Sequence, residues 1–337
     1  MKKLFLIVMG ILVSLSFFPS TGFAADMNYS VRAVIPDNQV DKTKTYFDLR
    51  MKPGQKQKVT LHFENNASEQ AQIEVSPNTA ATNRNGVIDY SASKKKIDSS
   101  LKYDFSKLVT GEKVVTLNAK EKKDVDYEIT MPEKEFDGIL LGGFYIHKKQ
   151  ADTDKDKDSS VQIKNDYSYV IGARLSENDK TVSPKLKLNQ IKAGLENYHT
   201  VVNANLQNAT PVIISNMKIN AKFSKSGSSK VLHQVTKENQ SMAPNSNYNF
   251  SIPWDDEELK AGKYHLSMTA KDASGHHWKF EKDFTIGSNA KEINKEAVGI
   301  EHSNIWLIIG LSGAGLLILI TIILFLIRRK RKTKEQN

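Results

Sequence analysis

The sequence predicts an all-β protein: two tandem immunoglobulin-like β-sandwiches followed by a single transmembrane helix. Three observations lead there. Stretches that alternate apolar and polar residues recur through the body of the chain. A weak internal repeat divides that body into two similar halves. An uncharged run of 23 residues, Ile305 to Ile327, then stands directly before Arg328-Arg329-Lys330-Arg331-Lys332.

Taken in order, residues 1–25 read as a secretory signal. Lys2 and Lys3 precede an apolar run, Leu4 to Phe18, and Gly22-Phe23-Ala24 sets small residues at a cleavage site. The first sandwich is expected over 28–177. Val59, Leu61 and Phe63 alternate with Thr60, His62 and Glu64, and Val125, Tyr127 and Ile129 alternate with Asp126, Glu128 and Thr130. Period-2 runs rich in β-branched and aromatic residues are half-buried strands. Lys52-Pro53-Gly54-Gln55 and Asn83-Arg84-Asn85-Gly86 read as turns, the second ending in the Asn-Gly of a tight hairpin. The second sandwich is expected over 183–287, after a polar stretch at Ser176–Pro184. Its last strand sets Phe280, Phe284 and Ile286 on one parity.

The repeat aligns Asn66-Ala67-Ser68 with Asn208-Ala209-Thr210, each at the end of a strand and each followed by another strand. Later pairs, Asp124–Met131 with Tyr248–Trp254 and Gly138–His147 with Gly262–Ala270, keep the same order. That order suits two sandwiches of one type. Residues 288–304 read as a flexible linker, 305–327 as the membrane span and 328–337 as a basic tail. About 20 apolar residues cross a bilayer core as helix, and flanking basic residues hold their end in the cytoplasm. The body of the chain is therefore expected outside the cell. No Leu-Pro-x-Thr-Gly sorting motif precedes Ile305, so the helix is expected to stay as the anchor.

Net charge follows this topology. The chain of 337 residues carries +10. Two of its 48 basic residues fall in the leader and six in the tail with Glu335, leaving 40 basic against 37 acidic residues between them. Such a balance is a poor basis for nucleic-acid binding, which needs concentrated phosphate neutralisation. There is no cysteine, so an exported chain of this kind depends on its apolar cores. Cysteine-free exported proteins are common in Gram-positive bacteria.

Residues that carry chemistry are sparse. Asp152, Asp154, Asp156 and Asp158 alternate as in a calcium loop, but the turn glycine and the terminal glutamate are missing, so a solvated hairpin tip is favoured over a cation site. His276 and His277 would point to opposite faces of a strand and chelate poorly together. Asp255-Asp256-Glu257-Glu258 has no apolar surroundings to raise a pKa, and no nucleophile elbow occurs. No cofactor or metal is implied, and no enzyme is expected. Gly138-Ile-Leu-Leu-Gly142-Gly143-Phe-Tyr is unusual for a strand interior. It reads either as close sheet packing or as an edge where another backbone approaches, with Leu140, Gly142, Gly143 and Phe144 as the partner-strand edge.

These segments resemble the WxL-interacting proteins of Gram-positive bacteria. The resemblance is carried by Val34-Ile35-Pro36-Asp37-Asn38-Gln39, Tyr46-Phe47-Asp48-Leu49, Ala80 to Tyr90, Met131-Pro132 through Leu141-Gly142-Gly143, Tyr167 to Gly172 and Asn205 to Pro211, with Met242 to Asn247 and Ala261 to Tyr264. It implies a peptidoglycan-binding first module, a host-binding second module, and partnership with WxL-domain surface proteins. Tyr46, Phe47, Asn83, Asn85 and Tyr90 match the family's motif positions and are the candidate ligand-binding residues. The expected function is that of a non-enzymatic, membrane-anchored surface scaffold. A strand-donating or strand-accepting chaperone-like module is the alternative, and a wall glycan hydrolase a remote one.

Overall fold

The computed structural model describes residues 28–91, 97–149, 167–300, 315 and 317–322. The leader, the Asp152–Asp158 loop, the basic tail and most of the apolar run lie outside the described residues. Among those described, 317–322 are helical, and no helix is long and apolar enough to cross a membrane.

The all-β expectation holds. The first half places four strands, β1 (Tyr29–Val34), β3 (Lys56–Asn65), β9 (Lys122–Thr130) and β7 (Val109–Gly111), side by side in that order. A second sheet runs β2 (Phe47–Arg50), β11 (Ser168–Ser176), β10 (Leu140–Lys148), β4 (Ala71–Thr79), β8 (Val114–Leu117), and a short antiparallel pair, β5 (Ala81–Thr82) with β6 (Ile88–Asp89), follows β4. Alternation puts Val59, Leu61 and Phe63 of one sheet and Ile73, Val75, Phe144 and Ile146 of the other into a shared core. Phe144 lies at its centre, with Phe47, Phe105 and Tyr127 ringed around it at 5.1–6.1 Å between centroids. The short helix α1 (Phe105–Leu108) starts at Asp104, whose side chain accepts from the Ser106 N–H as an N-cap.

The second half repeats the plan. One sheet runs β12 (Leu186–Glu196), β13 (His199–Asn208), β16 (Ser246–Pro253), and the other β15 (Val231–Met242), β14 (Ile214–Lys225), β17 (Gly262–Lys271), β18 (His277–Ile286). The order β12-β13-β16 mirrors β1-β3-β9, and β15-β14-β17-β18 mirrors β8-β4-β10-β11. Its core stacks Trp254 on Phe223 and places Tyr264 and Phe284 against them.

The repeat is real but sits one residue earlier in the first half. Asn65, not Asn66, is the partner of Asn208. Each is buried. Asn65 donates to the Glu69 and Asn118 carbonyls and accepts from Ala67 N–H. Asn208 donates to the Val212 and Ala243 carbonyls and accepts from Thr210 N–H. Both side chains thus tie the end of one strand to the turn that leads into the other sheet.

Two expectations need correction. The glycine-bearing strand β10 is not an edge. It pairs antiparallel with β11 on one side and β4 on the other, so its backbone bonds are spent inside the sheet. Leu140 and Phe144 are core residues. A Cβ at Gly142 would fall inside the Phe105 ring, so the glycine serves close packing. The second correction concerns 288–304. A helix, α2 (Ala290–Glu296), packs there with Ala290 buried. Asn294 both accepts from Leu259 N–H and donates to its carbonyl.

Candidate functional site

The outer face of the five-stranded sheet carries the clearest constellation. Gly143 of β10 and Gly172 of β11 are register partners. Interior glycines weaken a sheet, and two side by side leave a flat stretch of backbone with room for larger side chains to pack over it. Two tyrosines lie on it. The Tyr90 ring rests on Gly143, where a Cβ would come within 2.9 Å of Cδ1, and Tyr46 borders Gly172, where a Cβ would meet the Tyr46 Cβ at 3.7 Å and its ring carbon Cγ at 3.8 Å.

Neighbouring groups fix the backbone at both tyrosines. Buried Gln39 donates to the Tyr46 carbonyl at 2.6 Å and accepts from Asp48 N–H at 3.0 Å, gripping the chain on either side of Phe47. Asn78, the partner of Gly143 across β4, donates to the Tyr90 carbonyl at 2.8 Å. Burial, and then the neighbouring Tyr46, push the Tyr90 hydroxyl above its ordinary value, so it stays neutral at physiological pH. Beside Tyr46, Arg174 donates to Asp48 at 2.6 Å, and Val170 lies exposed on the same parity of β11. The patch combines aromatic faces, hydroxyls and one ion pair. Aromatic faces beside hydroxyls are the chemistry by which an amphipathic ligand can be stacked and hydrogen-bonded.

The other three predicted ligand residues are placed differently. Phe47 is fully buried against Phe144 and presents no surface to a ligand. Sheet alternation explains why, since Tyr46 and Asp48 take the outer face. Asn83 closes its own turn, its Oδ1 accepting from Asn85 and Val87 N–H. Asn85 is exposed at the tip. Gly86 in that turn has φ +68° and faces Gln240 of the second half, while its carbonyl accepts from Ser241 N–H at 2.6 Å. The turn therefore joins the halves.

That junction was not visible in the sequence. Thr82 and Ser246 hydroxyls share a bond of 2.6 Å, and Thr82 Oγ1 also accepts from Ala243 N–H. Ile139 N–H donates to the Pro211 carbonyl. Ala80, Leu141 and Ala243 form a small apolar cluster with Ile88 and Tyr90 against it. Asp98 stands at the centre, 8% exposed. It accepts from Ser100 N–H and Oγ of its own segment, and from Gln207 and Asn247 of the second half. Burial alone would raise this carboxyl, but the bonds from Ser100, Asn247 and Gln207 outweigh it and hold the pKa below the usual value.

The histidines and acids singled out in the sequence form ordinary pairs. Asp272 accepts from His276, which stacks on Trp278. Asp255 pairs with His233 and Asp256 with His199. Among the described residues no three metal-ligating side chains converge.

Residues 29–148 match the model of the WxL-interacting protein peptidoglycan-binding domain, and residues 158–295 that of the WxL-interacting protein host-binding domain. The chain belongs to the WxL-interacting protein family. Both matched domains of this WxL-interacting protein are binding domains by description. The second match includes β11, which the sheet order joins to β2 and β10 of the first half. No curated protein matches the chain. Among solved structures, similar chains include the YadV chaperone, at 10% identity over 77% of this chain and 100% of that one, TM-score 0.30. A chaperone–tip adhesin complex of CFA/I fimbriae biogenesis has 12% identity over 76% and 98%, TM-score 0.29. The E. coli chaperone DraB has 12% identity over 75% and 95%, TM-score 0.29.

Proposed function

We propose that this WxL-interacting protein is a non-enzymatic surface scaffold that holds peptidoglycan on its first half and a host or partner protein through its second. Each half is read as an immunoglobulin-like sandwich, with domains at 28–177 and 183–287. The leader 1–25 would export the chain, and the span 305–327 would hold it in the cell membrane with the tail 328–337 inside. A WxL-domain surface protein is the proposed partner.

The observation that supports glycan binding most is the tyrosine pair over Gly143 and Gly172. Sugar rings present flat C–H faces edged by hydroxyls, and a platform of two aromatic rings beside Arg174 and Asp48 complements both parts. Tyr46, Tyr90 and Gly143 all lie within the segment that matches the peptidoglycan-binding model.

Co-sedimentation tests the reading. The full chain in nanodiscs is mixed with purified sacculi, with and without a WxL-domain protein, at low and high salt. Binding to sacculi alone that survives high salt is expected. Sedimentation only when the WxL protein is present would replace direct wall binding with an indirect one.

A further inference from the structure

We infer that the cleft between the two halves receives a tryptophan side chain presented by a partner polypeptide. This rests on the proposed partnership with a WxL-domain protein. The cleft is a cavity of about 270 Å³. Leu140 and Leu141 line it from the first half, with Tyr103 and Phe136, whose ring centroids lie 5.7 Å apart. Pro211 and Pro244 line it from the second half.

Size, lining and position each narrow the occupant. Small-molecule sites begin at roughly 300 Å³, so this cavity suits one bulky side chain better than a whole metabolite. Its lining is mostly leucine, aromatic rings and proline, with Lys102 and Asp137 among it, and calls for a largely apolar guest that also brings a polar group. At the rim, Asn245 donates through Nδ2 to Ser100, and its amide oxygen can accept a bond from an indole N–H. Tryptophan is the large apolar side chain that brings such a donor, and it is a frequent anchor at protein interfaces. The family's name states a Trp-x-Leu partner.

The cleft also continues an interface already built. Ile139 N–H bonds the Pro211 carbonyl beside it, and the Ala80–Leu141–Ala243 cluster lies under it. A guest there touches both halves, so binding should also tighten the junction. Prolines and a hydrogen-bonded backbone make the walls preformed, which lowers the ordering cost of binding.

The test uses the full chain in nanodiscs and biolayer interferometry. Immobilised ligands are a Ser/Gly-flanked Trp-Ser-Leu peptide, its Trp→Ala counterpart, and an intact WxL-domain protein. Two variants are compared with wild type: Ala209→Trp, which plugs the cleft from its wall, and Leu101→Ala, which widens it. Thermal unfolding checks that each folds. The Trp peptide should bind wild type roughly 30-fold more tightly than the Ala peptide, the loss typical of a removed anchor, and both variants should lose that preference. Equal binding of the two peptides, binding of neither, or unchanged binding to the plugged variant would overturn the assignment. If the intact protein binds wild type and plugged variant equally, the partnership stands and the cleft does not. If it binds neither, the partnership falls with it.

Discussion

Asp98 is expected to set how the two halves behave together. Four bonds reach its carboxylate, of which the two from Gln207 and Asn247 cross the junction. A hydrogen bond to a charged partner contributes about 1.5–3 kcal/mol, and removing the acceptor strands buried donors. The Ser100 bonds lie within one short turn and cost little when lost to water. The Asp98→Ala change should therefore remove on the order of 3 kcal/mol of coupling between the halves. Asp98→Asn should do nearly as much, because its NH2 would oppose one of the two side-chain amide donors. The assay is urea unfolding of the full chain read by two probes. With Trp306 replaced by Phe, fluorescence of Trp254 and Trp278 reports the second core, and hydrogen exchange of the β3 and β10 amides reports the first. In wild type both probes should share one midpoint. In the variant the midpoints should separate. Coincident midpoints in Asp98→Ala, or separate ones already in wild type, would refute the reasoning.

Acid should reproduce that uncoupling. The folded pKa of Asp98 is depressed, so its contribution is present above the unfolded value of about 3.9 and is lost as pH falls through the lower folded value. Midpoints that stay together from pH 7 to 5 and part below about 4 are expected. Gly142→Ala should destabilise the first half by roughly 1–3 kcal/mol through overpacking against Phe105, measured, with the junction intact, as a fall in the midpoint that both probes share. Asn208→Ala should cost roughly 2–4 kcal/mol, since two carbonyls and the Thr210 N–H lose their partner. Asn65→Ala should cost about the same, whereas Asn66→Ala should stay within about 0.5 kcal/mol; equal effects at 65 and 66 would contradict the one-residue shift.

Strand identity was legible because alternation is written locally. Val59, Leu61 and Phe63 must share a face wherever the strand pairs. The twofold repeat was legible for the same reason, though two adjacent asparagines concealed which one turns inward. Pairing order was not legible. Nothing local distinguishes β10 as a central strand, and its glycines read equally well as an edge until Phe105 and Tyr90 are placed against them. The binding face was half legible. Family motif positions supplied Tyr46 and Tyr90 but also Phe47, and only the strand parity separates a core ring from a surface one. Gly172 could have been found as a glycine on the outward parity of β11, opposite Gly143. The Asp98 junction was invisible, because its partners lie 109 and 149 residues away.

Co-sedimentation with sacculi of the Tyr46→Ala/Tyr90→Ala double variant tests the central claim most directly, with Tyr198→Ala, an exposed tyrosine outside the platform, as control. The tyrosine platform predicts that the double variant loses at least tenfold in affinity, on the scale of removed anchors, while it still unfolds in one cooperative transition, at a midpoint lowered by the lost Tyr90 packing, and the control's binding stays at the wild-type value. Undiminished binding by a folded double variant would place the glycan elsewhere on the molecule.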